Sequence, residues 1–194
     1  MDFEVGDVVL TRSDTWLGAA IRFAERRPGD PVNYNHVGIV TSSGSVGPGG
    51  YAAMTEALWH VRCGFVWYLY GPPAGEKRPE VAVWRPGFMT SRERARVARV
   101  AACQVGEKYG WWKLGCHLGD SVLSAVAHRD IRLFRRSLFL SSRPICSYLV
   151  ADAFDSAAGY RFGIPAHTAS PDDIDDWVSN PKNGWTLVFK GTIA

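Results

Sequence analysis

Residues 144–159 read PICSYLVADAFDSAAG and predict a helix that carries a cysteine in its first turn. Pro144 and Gly159 bound it, because proline is favoured at the first helical position and glycine just past the last. One face of this helix is apolar, at Leu149, Val150, Ala153 and Phe154. Cys146 therefore lies beside free backbone N–H groups and the positive end of the helix dipole. Both favour a thiolate, and the N–H groups can hold a developing oxyanion.

The other three cysteines lack such a position. Cys63 lies in a predicted turn, Cys103 comes late in an alanine-rich helix, and Cys116 follows a glycine in a tryptophan-rich stretch. We interpret these three as structural thiols, and a small core residue is the alternative interpretation of Cys146 itself. No C-x-x-C pair occurs, which argues against a zinc ribbon or a thioredoxin motif.

A catalytic thiol needs a base and a group that orients the base. Of the five histidines, His36 begins a β-branched segment, HVGIVTS, and Gly38 leaves room for another part of the chain to approach the ring. Glu56 interrupts the apolar stretch AAMTEALW, where a carboxylate is costly unless it is paired. We therefore predict a hydrogen bond between His36 and Glu56, with Cys146 as the nucleophile.

The order of predicted elements indicates one α+β domain over residues 1–194, because strands with one early helix are followed by helices and a last strand. The predicted strands cover residues 5–11, 36–42, 51–61, 65–70, 80–86 and 185–190. The predicted helices cover 13–27, 91–105, 113–127 and 144–159, with a short capped turn over 170–178.

Composition excludes several classes of protein. The chain has 46% hydrophobic and 21% charged residues, as globular proteins do, and its net charge of +3 is too small to indicate nucleic-acid binding. We expect no signal peptide, because two acidic residues precede the first apolar run, and the sequence has no apolar run of about 18 residues. We therefore expect a cytoplasmic protein with free thiols and no transmembrane segment. A phage-delivered product or a secreted effector is the alternative.

Four segments in this order resemble the circularly permuted branch of the NlpC/P60 papain-like cysteine hydrolases, and within it the YiiX/YebB-like proteins. They are GDVVLT (6–11), NYNHVGIV (33–40), TEALWHV (55–61) and PICSYLVADAF (144–154). The resemblance implies a permuted papain-like fold in which an antiparallel sheet packs against helices. In ordinary NlpC/P60 enzymes the cysteine comes first, whereas here His36 precedes Cys146, as a permutation implies.

The resemblance also implies roles for particular residues. The family's nucleophile matches Cys146, its base matches His36, and its orienting polar residue matches Glu56. Tyr109 and Gly110 match a Gly-x-x-Tyr stretch that precedes the cysteine helix, where Tyr109 would line the substrate groove.

Two features near this groove depart from the family pattern. Ile145 stands where relatives often have an aromatic residue, and a Trp- and Arg-rich insertion near 111–142 is longer than the family core needs. Trp111 and Trp112 are candidate substrate-binding residues that would stack on a sugar or line an acyl groove, with core packing as the alternative.

The resemblance implies a hydrolase that cleaves an amide or ester bond through an acyl-thioester, with no metal or organic cofactor. Its substrate would be a peptide, a γ-linked peptide of the peptidoglycan type, or an acyl lipid. The alternatives are a lipid-directed thiol hydrolase or transferase of the same fold and a binding module without turnover. A third is a binder of anionic membranes or nucleic acid through Arg132, Arg135, Arg136 and Arg143, although we expect no nucleic-acid partner. The oligomeric state stays open.

Overall fold

A computed structural model shows the predicted α+β class of fold. It describes residues 1–13, 18, 19, 21, 22, 32–58, 60–66, 79–111, 115, 116, 119, 123 and 144–193. Several predictions fall mostly or wholly outside these residues: the helices over 13–27 and 113–127, the strand over 65–70, the insertion near 111–142 and the four arginines of the basic cluster.

Eight strands are described, and six of them form one antiparallel sheet. Their bounds are β1 (Asp2–Phe3), β2 (Val8–Arg12), β3 (His36–Ser42), β4 (Gly44–Ser45), β5 (Ala53–Ala57), β6 (Val61–Phe65), β7 (Glu80–Pro86) and β8 (Trp185–Thr192). The sheet order is β6–β5–β3–β2–β7–β8, while β1 pairs with β4 in a separate two-stranded sheet. Every described strand pair is antiparallel.

The strands β3 and β7 have the predicted bounds, because each is a continuous run of β-forming residues between turn residues. The first predicted strand begins later, at Val8. Gly6 has a positive φ of 86°, and the Asp7 carboxylate accepts a hydrogen bond from the Glu4 N–H, so residues 4–7 form a turn. The last strand extends two residues beyond the predicted end, to Thr192.

The predicted strand over 51–61 is too long, because the chain turns within it and its end belongs to the second strand of a hairpin. β5 ends at Ala57, β6 begins at Val61, and the Leu58 N–H donates to the His60 carbonyl within the turn. None of the turn-forming residues Gly, Pro, Asn, Asp or Ser marks this turn, so the sequence pattern predicts one uninterrupted strand. Of the predicted strand over 65–70, Phe65 is the last residue of β6, and residues 67–70 lie outside the described residues.

Three longer helices are described: α1 (Ser91–Cys103), α2 (Cys146–Ala158) and α3 (Pro171–Ser179). Capping boxes define the starts of two of them, with Thr90 and Glu93 at α1 and Ser170 and Asp173 at α3. Gly159 ends α2 in the left-handed conformation, as predicted. No helix among the described residues is long and apolar enough to cross a membrane.

Helices α1 and α2 pack against one face of the sheet. The core between them contains residues from β2, β3 and both helices: Val8, Leu10, Val37, Ile39, Val97, Ala101, Leu149 and Phe154. Fully burying a Leu or Phe side chain contributes about 1.5–3 kcal/mol, so this core holds α2 firmly on the sheet. Because β3 begins at His36 and α2 begins at Cys146, the starts of these two elements can bring both side chains together.

Candidate active site

Cys146 is the first residue of α2, and its side chain is buried, with 5% of the residue exposed. The predicted start at Pro144 is two residues early. Pro144 and Ile145 precede the helix because the Pro144 carbonyl accepts from the Gly110 N–H, at 2.8 Å, and Ile145 is extended. The side chain of Ile145 makes no capping hydrogen bond. The apolar residue at this position therefore provides no side-chain acceptor for the first N–H groups of α2.

The next residue fixes the start of α2 against a neighbouring loop. Ser147 is fully buried, and its hydroxyl donates a 2.6 Å hydrogen bond to the Ala169 carbonyl. Further along the helix, Leu149 and Phe154 are fully buried in the core. Anchored at both points, α2 leaves the thiol little freedom to move.

His36 lies at the start of β3, and its Nε2 atom is 2.8 Å from Oε2 of Glu56. The predicted hydrogen bond between these side chains is confirmed. Gly38 lies opposite Glu56, and a Cβ atom there would lie 3.0 Å from the Thr55 carbonyl oxygen and 3.3 Å from Cβ of Glu56. The glycine thus leaves room for β5, as expected from the sequence.

The carboxylate of Glu56 is fully buried, and a second side chain holds its other oxygen. Arg62 on β6 donates from Nε to Oε1 at 2.8 Å, and its Nη2 atom lies 2.6 Å from the same oxygen. Sequence reasoning missed Arg62. The signal was a basic residue six positions after Glu56, but the two residues face each other only because the chain reverses between β5 and β6.

Electrostatics link His36 to the thiol. Burial disfavours protonation of the ring, but the negative charge of Cys146, a hydrogen bond with it and the Glu56 carboxylate outweigh burial and raise the pKa of His36 to about 10. Because Nε2 faces Glu56, Nδ1 is the ring nitrogen left for Cys146. The arrangement favours the imidazolium form of His36, with the Glu56 carboxylate on one side of the ring.

Residues 109–111 bring aromatic side chains close to the start of α2. Tyr109 is buried in the same apolar cluster as Ile145 and Cys146, and the Gly110 N–H bonds to Pro144. Trp111 is 45% exposed, and its ring lies 4.9 Å from that of Tyr109, measured between centroids. The structure therefore places Trp111 at the surface near the start of α2, whereas Trp112 lies outside the described residues.

All four cysteines are free thiols, two of them exposed and two buried. Cys63 and Cys103 are exposed, and Cys116 is buried like Cys146. Cys63 lies on β6 with its sulfur 3.6 Å from the Thr41 hydroxyl. Of these thiols, Cys146 is the one that begins a helix and acts on the pKa of a histidine.

Comparison with known proteins gives information about the fold. No protein-family model matches the sequence, and no curated protein matches it. Among solved structures, the chain is similar to yiiX from Escherichia coli O157:H7, which is described as a metalloprotein (DUF1105). The TM-score is 0.57 at 14% sequence identity, over 97% of this chain and 98% of yiiX. The chain has a yiiX-like fold. An identity this low supports nothing beyond the fold.

The description of yiiX as a metalloprotein raises the question of a metal site in this chain. Within the described residues, no group of three or more His, Cys, Asp or Glu side chains is placed to hold a metal ion. At the site itself, His36 and Glu56 bond to each other, and the second oxygen of Glu56 bonds to Arg62. These donor atoms face one another and an arginine, an arrangement that does not fit a metal centre.

Proposed function

We propose that this protein is a cysteine hydrolase of the circularly permuted NlpC/P60 papain-like type. One observation carries the proposal: His36 bonds through Nε2 to the buried Glu56 and is coupled by charge and hydrogen bonding to Cys146 at the start of α2. The yiiX-like fold and the order His36, Glu56, Cys146 along the chain support the permuted assignment.

In the proposed reaction, the Cys146 sulfur attacks the carbonyl carbon of an amide or ester, and the carbonyl electron pair moves to its oxygen. Backbone N–H groups at the start of α2 stabilise this oxyanion. When the tetrahedral intermediate collapses, the bond to the leaving group breaks, and His36 donates its proton to that amine or alcohol. The product of this half-reaction is an acyl-thioester on Cys146.

Water completes the cycle. His36, now neutral, accepts a proton from a water molecule that attacks the thioester carbon, and the second tetrahedral intermediate expels the Cys146 thiolate. The acid product leaves, and the imidazolium–thiolate pair is restored. Throughout, Glu56 holds the ring through Nε2, so that Nδ1 faces the reacting atoms.

An acyl-directed activity is the second candidate, and the exposure of Trp111 favours it. This ring lies at the surface in the loop that bonds to Pro144 before α2. An exposed indole near the thiol offers an apolar surface to an acyl chain, as well as a stacking surface to a sugar or a peptide. A lipid-directed thiol hydrolase or transferase would use the same three residues.

Trapping of an acyl-enzyme tests the proposal. The protein is incubated briefly with p-nitrophenyl acetate at about pH 6, where ordinary thiols are almost entirely protonated. Intact mass and peptide mapping then locate the acetyl group. We expect a single adduct on Cys146, lost in Cys146→Ala and formed at least about tenfold more slowly in His36→Ala. If the exposed thiols Cys63 and Cys103 are acetylated in preference to Cys146, the assignment of Cys146 as the nucleophile is wrong.

A further inference from the structure

Arg62, which binds the Glu56 oxygen opposite His36, is part of the candidate site. Glu56 and Arg62 are direct cross-strand neighbours in the β5–β6 hairpin, and Gly38 of β3 is the neighbour of Glu56 on its other side. Both Nε and Nη2 of Arg62 contact Oε1 of Glu56, at 2.8 and 2.6 Å. The remaining oxygen, Oε2, faces His36. Arg62 and His36 thus hold the same carboxylate by different oxygens.

Burial makes the charge of this carboxylate costly. Glu56 is fully buried, and an isolated carboxylate in that setting is disfavoured as an anion by several kcal/mol. The guanidinium offsets this cost, because it remains charged at any working pH and presents two N–H groups to one oxygen. Its side chain is 41% exposed, so the cation itself stays partly in water.

The four groups alternate in sign along the contacts that connect them. In the proposed ion pair Cys146 is negative and His36 is positive, and the contacts continue to the negative Glu56 and the positive Arg62. Their sum is zero. Without Arg62 the same groups would carry one net negative charge, which a largely buried site relieves by taking up a proton. The proton would go to the thiolate or to the carboxylate, and either change weakens the pair.

We propose that Arg62 is a positioning residue that keeps Glu56 oriented and anionic and thereby maintains the Cys146–His36 ion pair. This inference rests on the proposed function, since it concerns the same site. Arg62 does not contact the thiol. It acts through Glu56 and His36, so its charge matters more than its shape.

The test separates charge from shape. Arg62→Gln and Arg62→Met remove the charge, Arg62→Lys keeps it, and Arg99→Gln removes the charge of an exposed residue on α1 as a matched control. Two neutral variants are used so that one can replace the other if it does not fold, and thermal unfolding is recorded for all. The rate of Cys146 alkylation by iodoacetamide is measured from about pH 5 to 9 by peptide mass spectrometry.

We expect the neutral variants to move the midpoint of the alkylation profile upward by about one pH unit, which is about tenfold slower labelling near pH 6. Arg62→Lys should retain most of the wild-type profile, and Arg99→Gln all of it. A purely structural role would lower the unfolding temperature and leave the midpoint in place. Neutral variants that keep the wild-type midpoint, with Cys146 still the preferred thiol, overturn the inference and leave the proposed function intact.

A second measurement decides the inference even if the proposed function fails, that is, if Cys146 is no more reactive than the exposed Cys63 and Cys103. In a Cys146→Ala background, the His36 ring is titrated by NMR with and without Arg62→Gln. If Arg62 keeps Glu56 anionic and oriented, its removal should lower the pKa of His36 by about one unit, because the carboxylate then stabilises the imidazolium less. An unchanged pKa, or a rise that reflects only the loss of a nearby positive charge, overturns the inference by itself.

Discussion

Glu56 and Asp7 are both fully buried carboxylates held by an arginine, yet their surroundings differ in kind. Arg85 holds Asp7 by two parallel contacts, from Nε to Oδ1 and from Nη2 to Oδ2, both at 2.8 Å. The Glu4 N–H donates to Oδ2 as well. Both oxygens of Asp7 are thus bound by groups that do not change their protonation near neutral pH. We interpret Asp7 as a structural residue that fixes the turn before β2.

Glu56 divides its two oxygens between an arginine and a histidine. Arg62 takes one oxygen, and the other faces His36, which in turn acts on Cys146. A buried carboxylate with an arginine partner is therefore not by itself a sign of function. What distinguishes Glu56 is a second partner, His36, whose ring proton can be transferred in the proposed reaction.

The sharpest test of this difference is to alter Glu56. In Glu56→Gln the amide can still contact His36 but carries no charge, so we expect the Cys146 acetylation rate to fall by about 10- to 100-fold. Glu56→Ala also removes the contact and should lower the rate by about 10³-fold, approaching the loss seen when a triad member is removed. Wild-type rates in both variants would remove Glu56 from the site.

The converse change is Arg85→Ala, which should affect stability and leave the chemistry alone. It leaves Asp7 buried without its guanidinium, and breaking a buried ion pair in this way costs about 3 kcal/mol. Urea unfolding measures this loss, while the acetylation rate of Cys146 in the folded variant should stay within about twofold of wild type. A large fall in that rate would show that the Asp7–Arg85 pair is coupled to the site around Glu56, and that Asp7 is more than a structural residue.

The smallest expected effect is in the titration of His36. Its pKa is raised to about 10, so the ring should keep its proton through neutral pH and lose it as the pH rises through that value. Because the negative charge of Cys146 helps to raise this pKa, Cys146→Ala should lower it by about one unit or more. NMR of the ring protons measures both values. A wild-type pKa near the ordinary 6.5 would mean that no ion pair forms.

Much of the site follows from local chemical signals. Gly159 and the apolar stripe of α2 predict a helix with Cys146 in its first turn, and the cost of burying a charge predicts a partner for Glu56. The strand from His36 to Ser42 is predicted with its observed bounds. These signals lie within a few residues of the group concerned, which is why the sequence reveals them.

The hairpin of β5 and β6 shows which features local sequence signals do not reveal. No turn-forming residue marks it, so pattern reasoning continues one strand through it. Arg62 consequently stays hidden as a partner of Glu56. The start of α2 is displaced for a similar reason, since a hydrogen bond from the distant Gly110 holds Pro144 outside the helix.

The sequence by itself determined the α+β class, most of the strands and which cysteine begins a helix, because propensity and capping act between neighbours along the chain. Only the tertiary structure decided that His36 and Cys146, which are 110 positions apart, act on each other. It also decided that Arg62 binds the Glu56 oxygen that His36 leaves open. Strand register and helix packing set those contacts. Both depend on burying the faces of the sheet, and the sheet is built from strands that are distant along the chain.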